Sequence, residues 1–147
     1  MIASGSALRI LDCSVNVGPG DDFVFNYFRE HIKGAKFLDL KLARDLASPF
    51  PFMMPSRDYF SMIAKSLDIR KSHTVIVYDG QQSAFACRGA FMLKAFGHPD
   101  VRILDGGLAK WKSEGKELHS HSAATADDFS YELRSEGIRS YEDIVAI

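Results

Sequence analysis

The stretch VYDGQQSAFACRGA, residues 77–90, joins the end of a predicted buried strand to a predicted helix through a short loop. Two of its residues could do chemistry: Asp79 where the strand ends, and Cys87 eight residues later. Parallel α/β proteins usually place their reactive groups where a strand gives way to a helix. An aspartate there suits a metal or a capping role, and a cysteine suits nucleophilic catalysis.

A nucleophilic cysteine needs a thiolate stabilised by free helix amides or by a nearby cation. Cys87 has Arg88 beside it, but it is predicted about four residues inside the helix, past the free amides of the first turn. We therefore treat Cys87 as a weak catalytic candidate and favour a packing or half-exposed thiol. A cysteine-phosphatase loop needs arginine six positions after the cysteine; Pro19 follows Cys13 and Leu93 follows Cys87 at that spacing, which excludes the loop.

Metal and nucleotide sites are not predicted. Four carboxylates stand at the ends of predicted strands: Asp12, Asp39, Asp79 and Asp105. They could hold a metal, but an aspartate at a strand end more often caps the following loop or helix. His119 and His121 lack the further ligands of a tetrahedral site, and no glycine-rich nucleotide loop follows a strand. We expect no cofactor.

The apolar pattern that must position these residues alternates strands with helices. The predicted strands are 7–13, 35–40, 73–79 and 101–107, and the predicted helices are 23–32, 57–69, 83–97 and 108–115. The strand at 73–79 has the continuous β-branched run of a strand buried on both faces. Such alternation predicts an α/β fold whose mostly parallel sheet carries helices on both faces.

Capping residues and prolines indicate where some of these predicted helices begin and end. Ser56 is a good N-cap for the second helix, in which Tyr59, Met62, Ile63 and Leu67 recur at helical spacing. Gly97 stands where a helix C′ glycine belongs. The three prolines of 48–56 exclude regular structure there.

Length, charge and cysteine content limit the classes of function. The chain has 147 residues, enough for one domain with a real core. A net charge of −1 gives no electrostatic case for nucleic acid or for an anionic membrane, and no apolar run approaches the ~20 residues of a membrane span. No secretory signal is apparent. Two cysteines are too few for a disulfide scaffold and favour free thiols in a reducing, intracellular compartment.

Several motifs together resemble one family. In order they are LRILDCS, FREHIKGAKFLDL, SPFPFMMPSRDYF, VIVYDG and FGHPDVRILDGGLAKW. The chain resembles the N-terminal half of a two-domain rhodanese, of the thiosulfate or 3-mercaptopyruvate sulfurtransferase type, from about Leu8 to Glu117. The resemblance implies a rhodanese-like three-layer fold with about five strands, and a cytoplasmic or mitochondrial location.

In such enzymes only the C-terminal half carries the catalytic cysteine, at the start of a loop whose amides cradle its persulfide. The position that matches it here, directly after VIVY, is Asp79. A carboxylate can satisfy the same amides but cannot carry sulfane sulfur, so the resemblance implies no catalytic residue in this half. The matching loop comprises Gly80, Gln81, Gln82, Ser83 and Ala84.

The first functional hypothesis is therefore a non-catalytic structural and substrate-mouth domain of a sulfurtransferase. Its partners would be its own second rhodanese domain and a small sulfur donor. We expect a rhodanese-homology domain at 1–118, followed at 119–147 by a linker and the start of a truncated second domain, because RSYEDIVAI begins a helix and then stops. The alternatives are a stand-alone inactive module that binds a protein partner, and a single-domain enzyme that uses Cys87.

A covered partner surface should be visible as exposed apolar side chains. One stripe of the helix at 83–97 faces the sheet, whereas its other side carries Cys87, Ala90 and Phe91. We therefore predict that Phe91, or Phe50 with Phe52 and Met53, is substantially exposed.

Overall fold

A computed structural model describes residues 7–15, 23–80 and 83–120 of the chain. Within these ranges strands and helices alternate for most of the length. In chain order the elements are β1 (Leu8–Asp12), α1 (Phe23–Arg29), β2 (His31–Ile32), β3 (Ala35–Phe37), α2 (Arg57–Ser66), β4 (Thr74–Tyr78), α3 (Ala84–Ala95), β5 (Val101–Ile103), α4 (Gly107–Ser113) and β6 (Leu118–His119).

The main sheet is parallel and has the strand order β3-β1-β4-β5. The central pair, β1 and β4, is aligned from Leu8 opposite Thr74 to Asp12 opposite Tyr78. Because all four strands run the same way, their carboxyl ends meet at one edge of the sheet. The predicted α/β class is confirmed. The predicted strand number of about five is one too many for this sheet in the described residues.

The remaining two strands form a separate antiparallel pair, in which His31 lies opposite His119 and Ile32 opposite Leu118. The helix predicted over 23–32 is therefore wrong at its end, since α1 ends at Arg29 and the chain passes directly into β2. Gly34 has a φ of 78° in the turn from β2 into β3, as expected of a glycine that reverses the chain.

Helices cover both faces of the sheet, so the domain has three layers. On one face, the side chains of α2 and α3 pack with Leu11, Val75 and Val77 of the two central strands. On the other face, a smaller cluster centred on Tyr78 packs against Trp111 of α4. Val75, Val77 and Tyr78 are fully buried, as the β-branched run of β4 predicts.

The capping predictions for the two long helices are confirmed. The Ser56 side chain accepts a hydrogen bond from the Tyr59 amide, at 3.3 Å, and Gly97 closes α3 with a φ of 82°. The predicted inner stripe of α2 is only partly right, because Met62 is 68% exposed and Phe60 is the buried residue of that helix. No helix in the described ranges is long and apolar enough to cross a membrane.

Candidate functional site at the carboxyl end of β4

The central feature of this sheet edge is the Asp79 carboxylate, which is 4% exposed. Its Oδ1 accepts a hydrogen bond from the Ser83 amide at 2.9 Å. Its Oδ2 accepts from the amides of Phe85 and Ala86, at 3.0 and 3.1 Å. Amides in the first turn of a helix have no partner within the helix, and they attract negative charge. Asp79 therefore acts as the N-terminal cap of α3 from outside the helix.

The local backbone explains why the cap comes from Asp79. Ser83, the residue before α3, has a left-handed φ of 57°, and its own side chain makes no capping hydrogen bond. The donors were predicted within 80–84; Ser83 lies in that range, whereas Phe85 and Ala86 lie just beyond it. Gln81 and Gln82 lie outside the described residues.

A second helix holds the same loop from the other side. The Leu108 amide donates to the backbone carbonyl of Asp79, and the Ala109 amide donates to that of Gly80, both at 2.9 Å. This approach depends on the turn at Gly106 and Gly107, whose φ values are 76° and 54°. The two glycines are visible in the sequence, but their contact with the Asp79 loop joins segments distant along the chain and could not be found from sequence.

A second buried carboxylate, Asp12, ends the neighbouring strand β1 and is 2% exposed. Its Oδ1 accepts from the Ser14 amide at 2.9 Å, and the Tyr78 hydroxyl donates to the carboxylate. Burial raises the pKa of Asp12 above its ordinary value, more than these hydrogen bonds lower it, and the nearby Asp79 charge raises it further. The carboxyl edge of the sheet thus holds two desolvated acids.

The other two strand-end aspartates do not join this pair. The Asp39 carboxylate accepts from the amides of Lys41 and Leu42, and Asp105 forms an exposed ion pair with Lys110 at 2.6 Å, which lowers the pKa of Asp105. Asp12, Asp39 and Asp79 thus accept backbone amides, the capping role that the sequence favoured, whereas Asp105 forms an ion pair instead. No cluster of three or more metal-binding side chains occurs in the described ranges. His119 contacts the His31 ring, and His121 lies outside those ranges.

The chain has two cysteines, and both are free thiols. Cys13 is fully buried, and burial raises its pKa well above the ordinary value, with smaller contributions from Asp12 and Asp79. A thiol in that environment is a poor nucleophile. Cys87 is exposed, but its amide donates to the Ser83 carbonyl at 2.8 Å as part of α3. Cys87 therefore lies outside the set of amides that surround Asp79.

An apolar surface lies beside α3. Phe91 is 59% exposed, and Phe50 and Met53 of the proline-rich segment are 66% and 48% exposed. Phe52 is only partly exposed and packs on the core, with its ring 5.9 Å from that of Phe85. We call Phe50, Met53 and Phe91 the apolar surface. Its predicted exposure is confirmed.

Two residues near the apolar surface differ from expectation. Ala90 was predicted on the outer side of α3, but it is buried, because Ala86 and Ala90 extend the inner stripe of the helix by one row. Arg88 was not predicted to take part. Its guanidinium donates to the Phe52 carbonyl and lies 6.0 Å from the centre of the Phe91 ring, so it links the proline-rich segment to α3.

The chain is similar in sequence to a known protein family and to several known proteins. A protein family described as "Rhodanese-like domain" matches residues 1–114. The chain is 34% identical to thiosulfate sulfurtransferase from Bos taurus over 144 residues, which is 96% of this chain and 48% of that protein. It is likewise 34% identical to 3-mercaptopyruvate sulfurtransferase from Rattus norvegicus, over 94% of this chain and 48% of that protein.

Among solved structures, a 3-mercaptopyruvate sulfotransferase from Escherichia coli superposes with a TM-score of 0.74 at 29% identity, covering 95% of this chain and 54% of that one. The chain thus spans about half the length of the curated relatives it matches.

Proposed function

Because the chain belongs to the rhodanese-like domain family and has the α/β fold of that family, we propose that it is the non-catalytic half of a sulfurtransferase. Catalysis would take place on a second rhodanese domain of the whole protein. The half described here would support the second domain and shape the mouth through which the sulfur donor enters.

The observation that carries this proposal is the occupied amide loop at Asp79. The family resemblance assigns the position after β4 to the nucleophilic cysteine, whose persulfide the loop amides would stabilise. In this chain the Asp79 carboxylate already accepts from three amides there, that of Ser83 in the loop and those of Phe85 and Ala86 in the first turn of α3. A carboxylate has no sulfur with which to form the S–S bond of a persulfide, so this loop has the architecture of the reactive site without its chemistry.

The proposed reaction of the whole protein is a double displacement. A cysteine thiolate attacks the outer sulfur of thiosulfate, an S–S bond forms as another breaks, and sulfite leaves. Cyanide or a thiol then takes the outer sulfur and restores the thiolate. With 3-mercaptopyruvate the thiolate attacks the mercapto sulfur, the S–S bond forms as the C–S bond breaks, and the leaving enolate takes up the thiol proton to give pyruvate. Neither buried Cys13 nor helical Cys87 has the surroundings that this cycle needs.

The apolar surface supports the proposed partner. Contiguous exposed apolar groups mark interaction sites in soluble proteins, and Arg88 connects the two segments here, since it contacts the Phe52 carbonyl and the Phe91 ring. Phe50 and Met53 belong to a segment that Arg88 fixes against α3, so the surface is held in place before any partner arrives. A second rhodanese domain docked there is the occupant that we propose. An intracellular location, cytoplasmic or mitochondrial, is part of the same proposal.

A sulfur-transfer assay tests the proposal directly. The 147-residue chain is incubated with thiosulfate and cyanide, and separately with 3-mercaptopyruvate and cyanide, and thiocyanate is measured. We expect no turnover above that of the Cys87→Ser variant. Turnover that this substitution abolishes would contradict the proposal and favour a single-domain enzyme that uses Cys87.

The second candidate function is a stand-alone, inactive module that binds another protein. The same apolar surface favours it, since it could receive a separate protein as well as a tethered domain. Mixing the chain with the separately expressed second half of its parent protein distinguishes the two. A stable one-to-one complex that Phe91→Asp disrupts supports the sulfurtransferase half, and no complex favours the module.

A further inference from the structure

A groove between α2 and α3 lies at the opposite edge of the sheet from Asp79. Its lining includes Lys71 and His98, each three residues before the first residue of a strand (β4 and β5), and so lies near the amino ends of those strands. The five residues of β4 separate it from the Asp79 loop, a distance of about 16 Å. The groove has a volume of about 820 Å³, within the ~300–1,000 Å³ typical of sites for small molecules.

The floor of the groove is aromatic and fixed. Phe60 of α2 and Phe96 at the end of α3 stack with ring centres 4.1 Å apart and planes within 9° of parallel. Leu93 lies beside them and is 1% exposed, so the floor is continuous with the core. Because the two rings face each other, a ligand meets mainly their edges, and a planar aromatic group can pack on those edges without reordering the protein.

The rim of the groove is basic. Arg57, Lys65 and Lys71 line it, and none of the three forms an ion pair in the part of the chain that the structure describes. The single carboxylate in the lining, Asp68, already pairs with Arg9 and Arg70. Its pKa is lowered by the hydrogen bond from Arg70 and then by that from Arg9. The three remaining cations therefore give the rim an uncompensated positive charge.

One wall carries a polar atom without a partner. His98 lines the groove, and its Nε2 lies 3.1 Å from the Arg70 carbonyl. A carbonyl only accepts, so Nε2 carries the proton and Nδ1 of the neutral ring is an acceptor. Nδ1 is buried and has no hydrogen-bond partner among the described residues. Buried polar atoms are normally paired, and a ligand with an N–H or O–H group could pair this one once the His98 ring turns to expose Nδ1.

From these four observations we propose that the groove binds a small aromatic anion: a planar apolar group over Phe60 and Phe96, with its carboxylate or sulfonate between Lys65 and Lys71. The floor selects for a flat apolar body and the rim for negative charge, so neither a neutral hydrocarbon nor an inorganic anion satisfies both. This site is independent of the sulfurtransferase proposal, because it involves neither the Asp79 loop nor the apolar surface.

The probe for the test is 8-anilinonaphthalene-1-sulfonate, which combines two aromatic groups, an N–H and a sulfonate. Binding to the 15N-labelled chain is followed residue by residue through amide chemical shifts. We expect saturable shifts at Ser61, Lys65, Gly97 and His98, all in the groove lining. Shifts confined to the apolar surface, or no saturable shift, would overturn the proposal.

A matched pair of substitutions tests the charge requirement. Lys65 and Lys94 are exposed lysines in the last turns of α2 and α3, but only Lys65 lines the groove. We expect Lys65→Glu to weaken probe binding about fivefold, equivalent to ~1 kcal/mol, and Lys94→Glu to leave it unchanged. Added salt should weaken binding to the parent chain, since exposed charges are screened. Equal effects of the two substitutions would contradict the proposed site.

Discussion

Gly107 lies so close to the backbone of Asp79 that a Cβ placed on Gly107 would be 2.5 Å from the Asp79 carbonyl oxygen. The start of α4 and the loop after β4 are therefore in direct contact, and the contact requires glycine both for space and for a φ of 54°. This contact fixes the loop whose amides surround the Asp79 carboxylate.

We expect Gly107→Ala to lower the free energy of unfolding by about 2–4 kcal/mol, combining ~1–3 for overpacking and ~1 for the left-handed backbone. Denaturant unfolding measures this. Gly34→Ala is the matched control, because Gly34 also has a positive φ but nothing lies within 4 Å of its Cβ position. A loss at Gly107 no greater than that at Gly34 would show that the backbone close to Asp79 moves away readily.

A double substitution tests the packing of α3 on β1. A Cβ on Gly89 would lie 2.6 Å from the Cys13 sulfur. We expect Gly89→Ala to destabilise the chain by about 1–3 kcal/mol, and to cost much less when Cys13→Ala has already removed the sulfur. The unfolding free energies of the parent, the two single variants and the double variant together form a double-mutant cycle, which measures the coupling between the two positions. Additive losses would mean that Cys13 turns aside and that the contact imposes no constraint.

The capping role of Asp79 predicts a stability loss that is separate from any activity. Asp79→Ala leaves the amides of Ser83, Phe85 and Ala86 without their acceptor, and we expect a loss of about 1–3 kcal/mol. Asp79→Asn retains one carbonyl acceptor and should lose less. Asp79→Cys is not expected to give an efficient enzyme, since the rest of the loop must also suit the donor. An Ala variant as stable as the parent would show that water replaces the carboxylate at no cost.

Burial of Asp12 predicts a particular dependence of stability on pH. Its folded pKa is raised above the ordinary 3.8, so the folded state holds this proton to a higher pH than the unfolded chain does. The contribution of Asp12 to stability is therefore complete below pH 3.8 and falls as the pH rises through the folded pKa. Asp12→Asn removes this fall. The free energy of unfolding of the variant, measured with urea, should therefore rise relative to that of the parent chain between pH 3.5 and 7.

Asp100 is a control, because its contribution to stability should depend on pH in the opposite direction. The hydrogen bond from Arg102 and then that from Thr74 lower the pKa of Asp100, so its contribution is present above 3.8 and is lost as the pH falls through the lower folded value. The free energy of unfolding of Asp100→Asn should therefore fall relative to that of the parent as the pH rises. If the stability difference from the parent changed with pH in the same direction for both variants, the raised folded pKa of Asp12 would be contradicted.

The apolar surface predicts weak self-association of the isolated chain. Phe91, Phe50 and Met53 present apolar groups that a partner would cover, and a second copy is the partner available in a pure sample. Sedimentation should show concentration-dependent association that Phe91→Asp suppresses. Met62→Asp, a change at an apolar residue on α2 that is 68% exposed against 59% for Phe91, should leave the association intact. A chain that stays monomeric at high concentration would place the interface elsewhere.

Local signals were sufficient for much of this fold. The β-branched run of β4, the cap at Ser56 and the turn at Gly97 each depend on neighbours in sequence, and each is confirmed. The strand-end position of Asp79 also followed from its place after VIVY. Its three amide donors, however, depend on the left-handed residue Ser83, which no local pattern indicated.

The errors arose where the outcome depends on residues distant in sequence. β2 exists as a strand because it pairs with Leu118 and His119, so its sequence alone resembles the end of a helix. The periodicity of α2 indicated one apolar face, but Phe60 rather than Met62 is buried, because Phe96, the residue after α3, stacks on it. The link from Arg88 to the Phe52 carbonyl likewise joins two distant segments.

The position of β1 in the middle of the sheet has a consequence for how the chain folds as it is synthesised. β1 leaves the ribosome before the other strands of its sheet, yet its longest pairing partner is β4, which begins at Thr74. Until β4 emerges, one edge of β1 has no strand beside it, and apolar side chains such as Leu11 lack half of their core. Sheets that join such distant segments fold slowly, and their folding intermediates expose apolar surface that is prone to aggregation. The order β3-β1-β4-β5 therefore leaves β1 without its longest pairing partner until residue 78 has left the exit tunnel of the ribosome.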